Sequence, residues 1–276
     1  VATELRACAS LPAAIDRAAV PRVLARELAR LHARHGTTSL LATTMTAPIA
    51  DIDRALLAIG AACKSRGRGE ARILGVHLEG PYINSGKLGA QPDFPRSATL
   101  DEIRALHAIA PIRLITLAPE VPGNLDLVAA LRADGFQVQI GHTLGTYEDG
   151  VAALARGAGG FTHLFNAMTG LHHREPGMVG AALNDPGSWC GVIADLLHVH
   201  PASLGVAVRA KGSGRTFLVT DAMPTVGSNL DSFALSGTAI TLRDGKLTGP
   251  DERLLLSGYP ILYPYTREPI GVLVSL

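Results

Sequence analysis

The chain has 276 residues, with 25 Lys and Arg against 24 Asp and Glu, and a formal net charge of +1. Its 47% hydrophobic content excludes a disordered chain, and its near-zero charge argues against a nucleic-acid partner. The sequence has neither the apolar run of about 18 residues that a membrane span needs nor an apolar signal-peptide core near Val1. Its three cysteines are widely spaced, which fits a reducing compartment. We therefore expect a cytoplasmic α/β protein without a membrane partner.

Apolar strand-like runs alternate with Ala- and Leu-rich helical stretches along most of the chain. The predicted strands are 37–45, 73–81, 112–120, 136–143, 159–165, 189–195 and 215–223. The predicted helices are 14–34, 51–66, 97–108, 124–135, 146–157 and 201–212. Such alternation indicates right-handed βαβ units and a parallel sheet. The pattern alone leaves open whether this sheet is doubly wound or closed into a barrel.

The alternation stops after Asp221. Residues 238–249 have the pattern of a β-hairpin, and the remaining tail is apolar and interrupted by prolines without a helical period. A closed barrel of the common type has eight strands, whereas seven are predicted here. The two ends of the chain therefore do not fit a regular barrel.

Ionisable side chains follow four of the predicted strands. Glu79, His142, His163 and Asp221 each lie at or near a strand's carboxyl end, which is the active-site face of a parallel barrel. A Glu and two His form a known catalytic zinc ligand set. A nearby carboxylate that is not a ligand, here Asp221, can transfer protons. The sequence therefore predicts a metal site at this face.

Six motifs occur in one order: GVHLEGPYIN, IGHT, FTHLFNAM, REPG, IADLLHVHP and LVTDAM. In this set the chain resembles the N-acetylglucosamine-6-phosphate deacetylases of the amidohydrolase superfamily. The resemblance that these motifs carry runs from about Gly36 to Gly249. The resemblance implies an α/β fold of the (β/α)8 TIM-type barrel kind, incomplete because its first strand is missing, with the family's small β-sandwich largely absent. It implies barrel strands 2 to 8 over residues 1–225 and a β-hairpin with a divergent tail over 226–276.

The resemblance also implies roles for individual residues. Glu79, His142 and His163 match the metal ligands, and Asp221 matches the catalytic aspartate that activates water and protonates the leaving amine. Arg174 matches the residue that holds the 6-phosphate, and His198 the one that polarises the acetyl carbonyl. The substrate-binding set as a whole is Ala90, Gln91, Asn166, Ala167, Arg174 and His198.

The implied activity is metal-dependent hydrolysis of N-acetylglucosamine 6-phosphate to glucosamine 6-phosphate and acetate, in amino-sugar catabolism. The implied cofactor is a divalent ion, with zinc favoured over iron or manganese, and the implied assembly is a homodimer. Two alternatives stay open. One is a deacetylase for a related N-acetyl-hexosamine phosphate, since Gln91 stands where the family often has His. The other is an inactive or sugar-phosphate-binding remnant of the family.

One further histidine has two interpretations. His77 lies two residues before Glu79, so both side chains point to the same face of their strand. This places it near the predicted metal, but a packed structural role is favoured.

Overall fold

A computed structural model describes residues 20–223, 225, 229–235, 238–250 and 254–257. Cys8, the predicted helix from residue 14 to residue 19 and the tail beyond residue 257 lie outside these ranges. None of the described helices combines the length and the apolar character that crossing a bilayer requires.

The main sheet is parallel throughout, and its strands follow one another in chain order. Its strands are β1 (Ser39–Thr44), β2 (Arg72–Glu79), β3 (Ile112–Leu117), β4 (Gln137–Ile140), β5 (Gly160–Phe161), β6 (Trp189–Ile193) and β7 (Thr216–Val219). Each predicted strand is therefore present, although most are shorter than predicted. Within the described residues β1 and β7 do not pair, so the curved sheet is an incomplete barrel.

Within the described residues, one helix precedes this sheet and six others connect its strands. They are α1 (Val20–Arg34), α2 (Ile49–Cys63), α3 (Leu100–Ile109), α4 (Asn124–Ala133), α5 (Tyr147–Ala155), α6 (Gly177–Asn184) and α7 (Pro201–Lys211), with a 3-10 turn at Ser85–Lys87. Side-chain hydrogen bonds to backbone amides fix where two of these helices begin. The Thr99 hydroxyl accepts from the Glu102 amide to begin α3, and Thr146 and Asp149 form a capping box at α5.

One helix was not predicted. The sequence of α6, GMVGAALN, is buried along nearly its whole length, so it shows no amphipathic period. The glycine at position 180 allows close approach to the preceding turn, since a Cβ there would lie 2.4 Å from the Cβ of Pro176. A short, glycine-containing helix that is apolar except for its last residue gives little periodic signal in a sequence.

One hydrophobic core joins the sheet to its helices. Tyr82, Leu78, Ile115 and Phe161 are fully buried members of it. Strands that are buried on both faces have few exposed positions, which agrees with the continuous apolar runs in the sequence. This packing fixes the carboxyl ends of the strands, on which the candidate site is built.

A second, antiparallel sheet follows the barrel strands, in the order β11, β10, β9, β8. Its strands are β8 (Ser232–Leu235), β9 (Thr238–Arg243), β10 (Lys246–Thr248) and β11 (Leu254–Ser257). The predicted hairpin is confirmed as β9 and β10, whereas β8 and β11 were not predicted. The apolar side chains of this sheet pack against Met45, Ala90 and Met223, which lie in loops after barrel strands. The small sheet therefore lies against the loops at the carboxyl ends of the barrel strands.

Candidate metal centre

Three strand ends bring together one carboxylate and two imidazoles. Glu79 is the last residue of β2, and His142 and His163 each follow two residues after the end of β4 and of β5. One donor atom from each side chain lies within 4.8 Å of the others, and all three residues are buried. The parallel sheet thus assembles the cluster that the sequence predicts.

The contacts within this cluster are short. His142 Nε2 lies 2.9 Å from Glu79 Oε1, and His163 Nε2 lies 3.4 Å from the same oxygen. The two ring nitrogens are 3.0 Å apart. Three potential ligand atoms therefore face one small volume.

His142 Nδ1 makes a hydrogen bond on the side of the ring away from the cluster. This bond decides whether Nε2 directs a hydrogen or a lone pair at the cluster. His142 Nδ1 lies 2.8 Å from the carbonyl oxygen of Lys87, which only accepts, so Nδ1 carries a hydrogen. In the neutral ring Nε2 then directs a lone pair at the Glu79 carboxylate and at His163 Nε2. Lone pairs that face each other need a cation or a proton between them. The donor set thus fits a divalent metal ion, with the Lys87 carbonyl as the outer partner that orients a ligand.

The charge balance of the cluster agrees with this interpretation. Burial raises the pKa of Glu79, but its contacts with the His142 and His163 rings outweigh this effect and hold the pKa well below its usual range. Burial lowers the pKa of His163, and the Glu79 hydrogen bond and charge then raise it to about 9. Without a metal, the cluster therefore holds a proton where a cation fits.

The backbone turns sharply where these side chains leave their strands. His142, His163 and Asp221 have φ values of 50°, 33° and 48°, in the left-handed region that non-glycine residues rarely occupy. The turn after Glu79 uses Gly80, whose φ is 77° and where a Cβ would lie 2.0 Å from Thr46 Oγ1. A glycine is therefore required beside the carboxylate.

Asp221 faces a cavity that lies beside the metal cluster. It follows two residues after the end of β7 and lines this cavity together with Glu79, His163 and His77. Burial raises the pKa of Asp221, and the negative charge of Glu79 raises it further, while the charges of His163, His198 and His142 lower it in part. A carboxyl group with a raised pKa beside a metal site can accept and return a proton.

Two of the predicted substrate residues lie in the loop after β2. Gln91 is buried, donates from Nε2 to Glu79 Oε1 over 3.2 Å and accepts from the Thr46 amide over 2.6 Å. Ala90 packs beneath the small sheet. Gln91 therefore contacts a candidate ligand directly.

The other predicted substrate residues lie after β5 and β6. Asn166 donates from Nδ2 to the carbonyl oxygens of His163 and Leu164, and Ala167 adopts a φ of 50°. Arg174 is exposed in the loop that leads to α6. The His198 side chain is 6% exposed and pairs with Asp195. All these loops leave the carboxyl end of the sheet.

His77 belongs to a hydrogen-bond network in the barrel interior. Its Nε2 lies 2.7 Å from Thr116 Oγ1, which lies 2.7 Å from Thr162 Oγ1. Thr162 in turn donates to Gln139, and Thr43 contacts His77 Nδ1 at 3.3 Å. Burial lowers the pKa of His77 to about 4, so the ring is neutral. These contacts give His77 a packed position beneath the cluster rather than within it.

Sequence reasoning missed two supporting carboxylates. Glu120 accepts from Asn84 Nδ2, from the Thr143 hydroxyl and from the Leu144 amide, and so it holds the loop after His142. Asp195 pairs with His198 over 2.6 Å. Asp195 follows β6 by two residues, the same spacing as His142, His163 and Asp221 after their strands, and this spacing was the available signal.

No family model matches the chain. Among curated proteins it is 42% identical over 221 residues to the N-acetylglucosamine-6-phosphate deacetylase of Vibrio furnissii, covering 79% of this chain and 55% of that protein. It is 40% identical over 222 residues to the N-acetylgalactosamine-6-phosphate deacetylase of Escherichia coli O157:H7, covering 79% of this chain and 58% of that protein. The chain thus spans little more than half the length of these relatives.

Solved structures agree with these relatives. The N-acetylglucosamine-6-phosphate deacetylase of Pasteurella multocida superposes with a TM-score of 0.77 at 30% identity, covering 83% of this chain and 60% of that one. A variant of the Mycobacterium smegmatis enzyme in complex with N-acetyl-D-glucosamine-6-phosphate superposes with a TM-score of 0.77 at 31% identity, with the same coverage. The resemblance and the incomplete barrel predicted from the motifs are both confirmed. Over most of its length this chain is therefore similar in sequence and in fold to the N-acetylglucosamine-6-phosphate deacetylases.

Proposed function

We propose that the chain carries the site of a metal-dependent hydrolase that converts N-acetylglucosamine 6-phosphate to glucosamine 6-phosphate and acetate in amino-sugar catabolism. The observation that carries the proposal is the buried cluster of Glu79, His142 and His163, of which Glu79 and His163 line one cavity together with Asp221. The named activity of the relatives supports the same reaction.

Glu79, His142 and His163 would hold one divalent cation. Their mixed oxygen and nitrogen donors suit zinc, and iron or manganese accept the same donor types. When bound, such an ion supplies a Lewis acid that polarises a carbonyl oxygen and makes water more acidic.

Asp221 is the proton carrier in this proposal. Its carboxylate takes a proton from the attacking water as the new C–O bond forms at the acetamide carbon. The same group returns this proton to the amide nitrogen as the C–N bond breaks, which releases the amine and acetate. The raised pKa of Asp221 supports both halves of the transfer.

The substrate contacts come from the surrounding loops. We assign the 6-phosphate to Arg174, whose planar guanidinium can bind phosphate through two hydrogen bonds. We assign the acetyl carbonyl to His198, and the sugar to Asn166, Ala167, Ala90 and Gln91. The exposed position of Arg174 supports contact with a ligand that enters from solvent.

A second candidate is deacetylation of N-acetylgalactosamine 6-phosphate. The relative from Escherichia coli O157:H7 is named for that epimer and matches this chain about as well as the relative from Vibrio furnissii that is named for N-acetylglucosamine 6-phosphate. Comparing kcat/KM for the two epimers separates these candidates. A higher value for the glucosamine epimer supports the first candidate, and a higher value for the galactosamine epimer supports the second.

The setting is also part of the proposal. Cys63 and Cys190 are free in the structure, which supports a reducing cytoplasm. The near-zero net charge supports a small-molecule partner rather than nucleic acid or a membrane surface. A homodimer follows from the family resemblance, and sedimentation of the purified chain tests it.

The test of the function is metal content measured together with acetate release. The purified full chain is stripped with a chelator, reloaded with zinc, iron or manganese, and assayed on N-acetylglucosamine 6-phosphate. We expect about one ion per chain and metal-dependent acetate release, both lost in Glu79→Gln. A folded chain that binds the ion without releasing acetate would favour the remnant alternative. A folded chain that binds no ion would contradict the metal centre itself.

A further inference from the structure

The turn after β6 holds a buried carboxylate against a buried imidazole. Asp195 Oδ2 lies 2.6 Å from His198 Nδ1, and Asp195 Oδ1 accepts from the backbone amides of Leu197 and His198 over 2.9 Å each. The Asp195 side chain is 1% exposed. Both of its oxygens are therefore occupied by one turn of four residues, so the ring is held on a rigid local frame.

The protonation of this pair follows from its contacts. Burial raises the pKa of Asp195, but the hydrogen bonds from His198 and from the two backbone amides lower it to about 2. An ionised carboxylate only accepts hydrogen bonds, so His198 Nδ1 carries the hydrogen. The neutral ring then has a bare lone pair at Nε2. This nitrogen is buried and has no hydrogen-bond partner within the described residues.

We propose that Asp195 is a positioning residue that fixes a hydrogen on His198 Nδ1, so that Nε2 donates to a substrate oxygen only when the ring carries a second proton. The placement of the hydrogen on His198 Nδ1 is argued only from the contacts within the turn of residues 195–198. The identity of the acceptor, the acetyl oxygen, rests on the proposed function. In that reaction His198 acts as an imidazolium, and Asp195 is its counter-charge.

Two charged groups are placed by the structure to act on this ring. Asp195 faces it from its own turn, and Asp221 lies within electrostatic range from the end of β7. Both are acidic.

The substitution Asp195→Asn gives a discriminating test. The backbone amides of Leu197 and His198 need an oxygen at the Oδ1 position, so the amide nitrogen of the new side chain must face His198 Nδ1. Since this nitrogen only donates, His198 Nδ1 must become an acceptor and the hydrogen must move to Nε2. The variant therefore reverses the tautomer of the ring with little change in its shape.

The measurement is ¹⁵N NMR of the histidines in the full chain, with the His198 signals assigned by their loss in His198→Gln. We expect the neutral ring to carry its hydrogen on Nδ1 in the unmodified chain and on Nε2 in Asp195→Asn. The control Asp93→Asn, at an exposed position, should keep the original pattern. A hydrogen on Nε2 in the unmodified chain would overturn the proposal even if Asp195→Asn failed to fold.

Kinetics separates this inference from the proposed function. In the unmodified chain we expect kcat/KM to fall as alkaline pH removes the second proton of His198. In Asp195→Asn the neutral ring already donates from Nε2, so we expect a lower maximum and a flatter alkaline limb. The same alkaline limb in both proteins would overturn the imidazolium role. The NMR result stands or falls without any acetate release.

Discussion

Gln91 and Glu79 are joined by a hydrogen bond at the edge of the candidate metal centre. The Gln91 amide donates to Glu79 Oε1 over 3.2 Å, while its carbonyl oxygen is fixed by the Thr46 amide over 2.6 Å. The loop after β2 is thereby tied both to a candidate ligand and to the loop after β1. These two contacts place Gln91 so that it orients the Glu79 carboxylate.

Removal of this contact should weaken metal binding. We expect Gln91→Ala to lower zinc affinity by about 10- to 100-fold, as for other groups that orient a metal ligand. Competition with a chromophoric chelator measures the zinc affinity of each variant. Gln137→Ala, at an exposed position where β4 begins, is the matched control and should bind zinc normally. Equal zinc affinity in Gln91→Ala and Gln137→Ala would show that Gln91 does not support metal binding. Its proposed role would then be contact with the substrate alone.

Asp221 should be needed for turnover but not for metal retention. We expect Asp221→Asn to lower kcat by at least about 10²- to 10⁴-fold, because the amide can neither take nor return the proton. Metal analysis of the same preparation should still show the ion. Loss of the ion in this variant would instead make Asp221 a ligand.

Arg174 should act on the phosphate alone. We expect Arg174→Ala to raise KM for the phosphorylated substrate by roughly 10- to 100-fold, the effect of losing about 1.5–3 kcal/mol of charged hydrogen bonding. The kcat should change little. Arg68→Ala, an exposed arginine in the loop before β2, provides the control. An unchanged KM in Arg174→Ala would remove Arg174 from the phosphate site.

Glu70 should make part of the stability depend on pH. Its buried carboxylate accepts from the Gly67 amide over 2.6 Å and lies 3.0 Å from guanidinium nitrogens of Arg26 and Arg30 on α1. Burial raises the pKa of Glu70, but these partners outweigh it and lower the pKa overall. The folded chain thus binds this proton less tightly than the unfolded chain does. The stabilisation is present above the ordinary pKa and is lost as the pH falls through the lowered one.

Urea unfolding at several pH values tests this contribution. At pH 7 we expect Glu70→Gln to lower the free energy of unfolding by about 1–3 kcal/mol. The difference in free energy of unfolding between Glu70→Gln and the unmodified chain should become smaller as the solution is acidified. Glu27→Gln, whose parent side chain is 54% exposed, is the control and should have little effect. If this difference in free energy of unfolding stayed constant down to acid pH, the ionised Glu70 carboxylate would not be the source of the stabilisation.

Most of the barrel strands were predictable because they are apolar runs followed by a stretch of helical composition. The metal cluster was predictable for a related reason, since carboxyl ends of parallel strands share one edge of a sheet. Strand lengths were overestimated where function interrupts the pattern. Residues 159–165 were predicted as one strand, but β5 ends at Phe161 because the chain enters the left-handed region at His163 and Phe165.

Other features could not be predicted because their signal is three-dimensional. The strands β8 and β11 join a sheet only through pairing with the hairpin between them, and neither has a strong pattern of its own. The pairing of Asp195 with His198 depends on the turn between them, in which Leu196 adopts a φ of 65°. The division of the chain near residue 225 stays a prediction.

The left-handed conformations of His142, His163 and Asp221 bear on how this chain can be engineered. Each costs on the order of 1–2 kcal/mol relative to glycine, which adopts that conformation freely. A sequence library selected for thermal stability alone would therefore drift toward glycine or asparagine at these positions and discard the metal centre and the proton carrier together. Stabilising substitutions are better sought in the outer helices, with the residues just beyond the strands held fixed.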